Sequence, residues 1–274
     1  MKIRLHYHNH WQNFGDELSI YIARKLSNNV KYSDRLWCNA VFIGSLLDRF
    51  MARKTSRFRR ALLLLHPHVF VWGAGYLSPP SKKEKVLFRR LDVRACRGVL
   101  TLNRLKNEAS AKIADDVVLA DPGLLASHFI DTSHNKKKYA LGIITHRVDM
   151  RHSLLSKIVV KNAINIDIQQ SPEAFMKQLS ECENIISSAM HGLIAADSLG
   201  IPNMRMALSG ELPGGDYKFD DYYSAFGFNS HPIINLKTQT FTDDDLPSIK
   251  ESYIIKPEQI KQLQERLLTV FPFK

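Results

Sequence analysis

The chain has 274 residues, 38 Lys and Arg against 27 Asp and Glu for a formal net charge of +11, and 45% hydrophobic residues. That composition is close to an average soluble globular protein and excludes disordered and fibrous classes, while the length fits one large domain or two of ordinary size. No apolar run nears the roughly 18 to 20 residues that cross a bilayer; the longest, residues 61–65, stops at His66-Pro67-His68.

Residues 2–7 alternate apolar and polar side chains, the period of a half-buried strand, and Asn13-Phe14-Gly15-Asp16 follows. Asp16 has the chemistry of an N-cap for an amphipathic helix through Leu26, with Leu18, Ile22, Ala23 and Leu26 on one face. Short apolar runs at 40–43, 69–72, 93–96 and 117–119, bounded by Gly, Pro or Asp, have the form of parallel strands buried on both faces. After Lys136-Lys137-Lys138 the alternation resumes, with strands expected at 139–145, 164–168, 184–187 and 201–206. Helices are expected at 172–181, introduced by Ser171-Pro172, at 192–199, stopped by Gly200, and at 256–270. The fold class expected is α/β, as two Rossmann-like domains with a ligand cleft between them: residues 1–135 and 136–274, the last helix packing back on the first domain.

One stretch carries most of the chemical information: Ile185-Ile186-Ser187-Ser188-Ala189-Met190-His191-Gly192, continuing through Asp197 to Gly200-Ile201-Pro202. A strand ends in hydroxyl residues, a histidine sits at the turn, and a helix opens. Its free N–H groups and positive dipole end suit an anion, with His191 beside it as proton donor or acceptor. A hydrogen-bonded turn histidine without chemistry has the same local pattern.

The string Ser-Ser-x-x-His-Gly-Leu-Ile-x-Ala-Asp-x-x-Gly-Ile-Pro resembles the C-terminal motif of the polysaccharide pyruvyl transferases. Other landmarks stand in that family's order: Asn13-Phe14-Gly15-Asp16, Gly44-Ser45, Trp72-Gly73-Ala74-Gly75, Arg97-Gly98-Val99-Leu100-Thr101, Asp121-Pro122-Gly123, Gly142-Ile143-Ile144-Thr145-His146 and the segment 216–227. The resemblance spans roughly residues 3 to 230. It implies a two-domain arrangement similar to the GT-B glycosyltransferases and transfer of a pyruvyl group from phosphoenolpyruvate to a surface polysaccharide precursor, forming a cyclic ketal across two sugar hydroxyls. Many members carry Ser-x-Arg-x-His at the histidine motif; here Ala189 stands where that arginine falls, so the cation must come from elsewhere.

Phosphoenolpyruvate carries a carboxylate and a phosphate, which call for fixed cations. Its methylene carbon gains a proton while a sugar hydroxyl loses one, work suited to a histidine. The catalytic candidates are therefore His191 and Asp16. Arg97, His146, Arg147, Ser187, Ser188, Gly192, Arg205 and Lys218 are the donor-binding candidates, and Asn13, Gly15, Gly73, Gly75 and Asp121 the acceptor-side ones. Trp72, Tyr222 and Tyr223 have the shape to stack on sugars, although core packing competes. The chemistry requires no cofactor. No metal site is expected either: His6, His8 and His10 share a strand face, but no Cys or carboxylate at ligand spacing joins them.

The positive charge is uneven. Residues 1–137 hold 24 basic and 11 acidic residues, and residues 138–274 hold 14 and 16. No nucleic-acid-binding signature accompanies that excess. The segment 49–65 mixes six Lys/Arg and no acid with Phe50, Met51, Phe58 and a leucine run, the pattern of a soluble enzyme resting on an anionic membrane. The first residues lack the apolar core of a signal peptide, and the three cysteines are odd in number and far apart. The expected location is the cytoplasm, peripheral on the inner face of the cytoplasmic membrane, where a lipid-linked oligosaccharide would be met. Two rival readings are a GT-B-like glycosyltransferase using a nucleotide sugar and a non-catalytic glycan- or nucleic-acid-binding protein.

Overall fold

The computed structural model describes residues 2–9, 11–53, 66–80, 85–108, 110–208, 210 and 212–273. Two parallel sheets organise it. The first contains β1 (Ile3–Leu5), β2 (Val30–Tyr32), β3 (Ala40–Val41), β4 (Val69–Trp72), β5 (Leu91–Cys96) and β6 (Ala111–Leu119), in the spatial order β2-β1-β3-β4-β5-β6. The second contains β7 (Tyr139–Ile144), β8 (Ala163–Asn165), β9 (Cys182–Ser187), β10 (Asn203–Ala207) and β11 (Ile233–Asn235), in the order β8-β7-β9-β10-β11. Every pairing in both is parallel. In each sheet the strand order reverses beside the first strand, and such a switch point opens a crevice at the carboxyl ends of the strands. A single apolar cluster runs through both halves, including Phe14 stacked on Phe175 with ring centroids 4.0 Å apart.

The apolar runs expected as strands all lie in these sheets, whereas the edge strands β2 and β11 lacked a readable signal because half or more of their residues face solvent. Two helix starts move. The first helix, α1, spans Phe14–Leu26 and is capped by Asn13, whose side chain accepts the Gly15 N–H; Asp16 lies in the first turn instead. The helix α4 (Met190–Ser198) begins two residues before Gly192, which puts His191 inside its first turn. Between them come α2 (Val99–Lys106) and α3 (Pro172–Ser180), the latter capped by Ser171 as its sequence indicates. Further on are α5 (Tyr217–Ser224) and α6 (Pro257–Thr269). Past α6, Phe271 and Phe273 pack around Phe42, and Trp72 donates its indole N–H to the Leu267 carbonyl at 3.0 Å. Trp72, Tyr222 and Tyr223 are all buried, which removes them as sugar platforms.

One clasp ties the first sheet to α5. Arg97, at the end of β5, is fully buried and donates from Nε to Asp221 Oδ2 at 2.9 Å. The same carboxylate accepts the Thr101 amide at 2.8 Å and the Thr101 hydroxyl at 2.7 Å. Ser224 Oγ accepts the Val99 amide, and a Cβ on Gly98 would lie 1.6 Å from the Asp221 carbonyl oxygen, so only glycine lets the two segments meet. From the other side, buried Asp197 of α4 accepts the Tyr222 hydroxyl at 2.7 Å, the Asn203 amide at 2.6 Å and the Tyr253 hydroxyl at 3.0 Å. Removing one member of a buried ion pair strands the other charge and costs about 3–5 kcal/mol. Arg97→Met is expected to lower the urea-unfolding free energy by that amount, and Gly98→Ala by about 1–3 kcal/mol through overpacking; wild-type midpoints in both would show that the clasp carries no strain-bearing load.

Candidate active site

A cavity of about 380 Å³ opens where the carboxyl ends of both sheets converge. From the first half it is lined by the segment after β1 (His8, Trp11, Gln12, Asn13), by Asp16, and by Gly44, Ser45, Arg49 and Leu77. From the second half come His146 and Arg147 after β7, Ile168 and Gln169 after β8, Ala189, Met190 and His191 after β9, and Pro213 and Lys218. The segments after the switch-point strands β1, β3, β7 and β9 thus supply much of the wall.

Its deep end is cationic. Lys218 is 6% exposed and, among the described residues, its ammonium has no hydrogen bond or ion pair; the Phe219 ring lies at 5.3 Å, and the buried Asp149 carboxylate acts on it through space. Burial, followed by the nearby Arg97 and Arg205, pulls its pKa down to about 8. The first turn of a helix leaves amides without intrahelical acceptors, and here that turn carries Met190 and His191. Burial lowers His191 to about 3, helped by Arg97, Lys218 and His146, so the ring is neutral at physiological pH. Its Nε2 stands 3.9 Å from Asp121 Oδ2, and among the described residues neither atom has a hydrogen-bond partner. Burial pushes Asp121 up to about 7, so near neutrality the ring faces a half-protonated carboxyl. The ring lies so close to Gly15 that a Cβ there would sit 2.0 Å from Nδ1.

His146 is also neutral, held at about 4 by burial and by Lys218. Its Nδ1 accepts the Val148 amide at 3.3 Å, which leaves the proton to Nε2, and its own amide is bound by Ser188 Oγ at 2.9 Å. Asp16 is the one carboxylate on the wall among the described residues, and burial with neighbouring Glu17 raises it to about 7. The cavity therefore holds a cationic end, a neutral histidine acceptor and a half-protonated carboxyl.

Of the residues expected at a site, Asn13, Asp16, His146, Arg147, His191 and Lys218 meet on this wall. The others stand behind it. Arg97 spends its donors on Asp221, Ser45 Oγ and the Tyr76 carbonyl. Arg205 pairs with Asp216 and lies over the Phe219 ring. Ser187 Oγ caps the turn at the Ala189 amide, 3.0 Å away, and Gly192 lets α4 approach that hydroxyl. Gly73 (φ +99°) sits against Pro122 and Gly75 against the Arg97 guanidinium, so both are small because of neighbours rather than a ligand. Asp121 is fully buried and caps the following turn at the Gly123 amide. Trp11, Gln12 and Gln169 carry no motif signal of their own; only the rule that ligands sit beyond strand carboxyl ends points to them. Among the described residues, no three His, Cys, Asp or Glu converge as a metal-binding group. His8 is engaged by Arg49, His6 by the Ser33 carbonyl, and His10 lies outside the described residues.

The sequence profile named polysaccharide pyruvyl transferase matches residues 12–209. The chain belongs to that family. It is similar to the "Uncharacterized protein L143" of Acanthamoeba polyphaga mimivirus, 38% identical over 136 residues that make up 48% of this chain and 47% of that protein. It is also similar to the "Succinoglycan biosynthesis protein ExoV" of Rhizobium meliloti (strain 1021), 23% identical over 223 residues, 80% of this chain and 63% of that protein. The chain thus spans less than two thirds of the length of either relative. The profile match covers five of the six predicted wall residues and ends before Lys218.

A free ammonium at the cavity's deep end makes a direct prediction. Inorganic phosphate binds by calorimetry, and Lys218→Met weakens it about 10- to 100-fold, the worth of a charged hydrogen bond. Because Lys218 is charged below about 8 and neutral above it, wild-type affinity falls as pH rises through that value and the variant loses this step.

Proposed function

We propose that the chain is a pyruvyl transferase that moves the three-carbon unit of phosphoenolpyruvate onto a sugar of a polysaccharide precursor, releasing phosphate. The observation that carries this reading is the unpaired, buried ammonium of Lys218 beside a neutral His191 and the first turn of α4. Such an end suits a small, multiply charged anion. Lys218 then supplies the cation that Ala189 lacks, reaching the site from another helix; Arg147 on the same wall offers a guanidinium fork.

The proton balance of ketal formation assigns the other groups. One sugar hydroxyl bonds to C2 of the donor and gives up its proton, while C3 takes a proton and becomes a methyl group. The C2–O bond to phosphate breaks as the second hydroxyl bonds to C2, and that hydroxyl's proton leaves with the phosphate. A neutral histidine is the acceptor such a hydroxyl needs, and His191 has that state. A carboxyl poised near neutrality is the matching donor for C3, and Asp16 has that one. Arg97 and Asp121 act behind these groups, lowering the His191 pKa and facing its ring.

The reading also places the acceptor near the basic first half, on an anionic membrane surface that carries lipid-linked precursors. Residues 54–65 of the segment 49–65 lie outside the described residues. Among the described residues no helix is long and apolar enough to cross a membrane.

The test incubates the chain with glycan precursor and either phosphoenolpyruvate or a set of nucleotide sugars, reading acceptor mass and released phosphate. A pyruvyl increment with stoichiometric phosphate is expected, and a hexose increment contradicts the proposal. His191→Ala is expected to abolish transfer while its thermal unfolding stays near wild type. The acid form of Asp16 is present below about pH 7 and lost above it, so kcat falls as pH rises through that region; Asp16→Asn lowers kcat by about 10²- to 10⁴-fold and removes that limb.

A further inference from the structure

We propose that Trp11 is the stacking platform for a pyranose ring of the acceptor, a role that rests on the sugar-transfer reading of the same cavity. Trp11 is 64% exposed, more than any other large hydrophobic side chain among the described residues, yet it lines the cavity rather than an open surface. Histidines aside, it is the one aromatic side chain on that wall among the described residues. The Arg147 guanidinium lies 4.6 Å from its ring centroid. At that exposure the second face cannot be packed against protein, so it is open to a ligand.

Its surroundings distinguish this end of the cavity from the other. Gln12, Asn13 and Gln169 bring neutral side chains to the wall, and Asp16, raised to about 7, is half protonated near neutrality. The deep end holds Lys218, His146 and His191. An anion finds the buried ammonium of Lys218 at the deep end, whereas the Arg147 guanidinium at the Trp11 end lies over the indole. A neutral ring with an apolar C–H face and hydroxyls at its rim has the reverse requirements: an aromatic plane to lie on and amides or carboxyls to bond.

Arg147 gives the stack a second function. The cation over one face of the indole joins the loop after β1 to the turn after β7, that is, one lip of the cavity to the other. A sugar on the free face of Trp11 lies across the indole from that guanidinium, which holds the ring from its covered side. Trp11 is a substrate-touching residue in this account, and Arg147 is the residue that positions its ring.

Binding tests this without requiring turnover. In a Trp37→Phe background the reporters are exposed Trp11 and buried Trp72, and the probes are methyl hexosides, neutral oligosaccharides, uridine diphosphate and phosphoenolpyruvate. A neutral sugar is expected to shift the emission to shorter wavelength. By calorimetry, Trp11→Ala weakens that sugar about tenfold or more, Trp11→Phe retains most of the affinity, and phosphoenolpyruvate binding changes less than about twofold. The proposal is overturned if no neutral sugar binds, if Trp11→Ala binds sugar like wild type, if the loss falls on phosphoenolpyruvate, or if uridine diphosphate alone engages the ring. Retained sugar binding without pyruvyl transfer from phosphoenolpyruvate supports Trp11 as a sugar platform while removing the transferase reading, so the two failures are separable.

Discussion

The buried carboxylate of Asp221 is the constraint on which the site depends. It accepts from Arg97 and twice from Thr101, so the end of β5 and the start of α2 hold the helix that carries Lys218. Burying a guanidinium and a carboxylate is expensive unless each finds several partners. Here Arg97 adds Ser45 and Tyr76 to its contacts, and Gly98 removes the Cβ that would push the helix away. The opposite side of α5 is held by Tyr222 on Asp197, whose own helix α4 presents His191. A lysine with three bare N–H donors and a long stem would otherwise turn to solvent or to a carboxylate. Held through Asp221 on one side and through Tyr222 on Asp197 on the other, this helix keeps the ammonium on the cavity wall.

That arrangement sets the protonation states of the wall. Burial, with Arg97 and Lys218, presses His191 toward its neutral form, and desolvation likewise pushes Asp16 and Asp121 toward theirs. The cavity is therefore short of negative charge and holds neutral groups that can exchange protons. An anion bound at Lys218 would offset the cations and make it easier for His191 to accept a proton.

Much of this was legible in the sequence, and the failures share a cause. The buried strands stood out because runs such as Val69-Phe70-Val71-Trp72 end at Gly73, and the histidine motif marked a strand–helix junction. Asn13, Asp16, His146, Arg147, His191 and Lys218 follow from motif position. Arg97, expected as a donor ligand, has its donors on Asp221, Ser45 and Tyr76, and nothing near it in sequence shows that Asp221 waits 124 residues later. Gly73 and Gly75 looked like a ligand loop, yet what they avoid is Pro122 and Arg97. Trp11 belongs to a loop without periodicity, and only the position of that loop beyond β1, at a switch point, gives it meaning. Long-range partners, not local patterns, decide which charged residue is a clasp and which is a site.

The measurement that bears most directly on this account is a crystal structure of the chain soaked with phosphoenolpyruvate. It predicts a phosphate or carboxylate oxygen within hydrogen-bond distance of Lys218 Nζ, at the first turn of α4, with the three-carbon unit beside the His191 ring and the Arg97–Asp221 pair unbroken. Donor density against Arg205 and Asp216, or at any site that leaves Lys218 Nζ without a ligand contact, would contradict it.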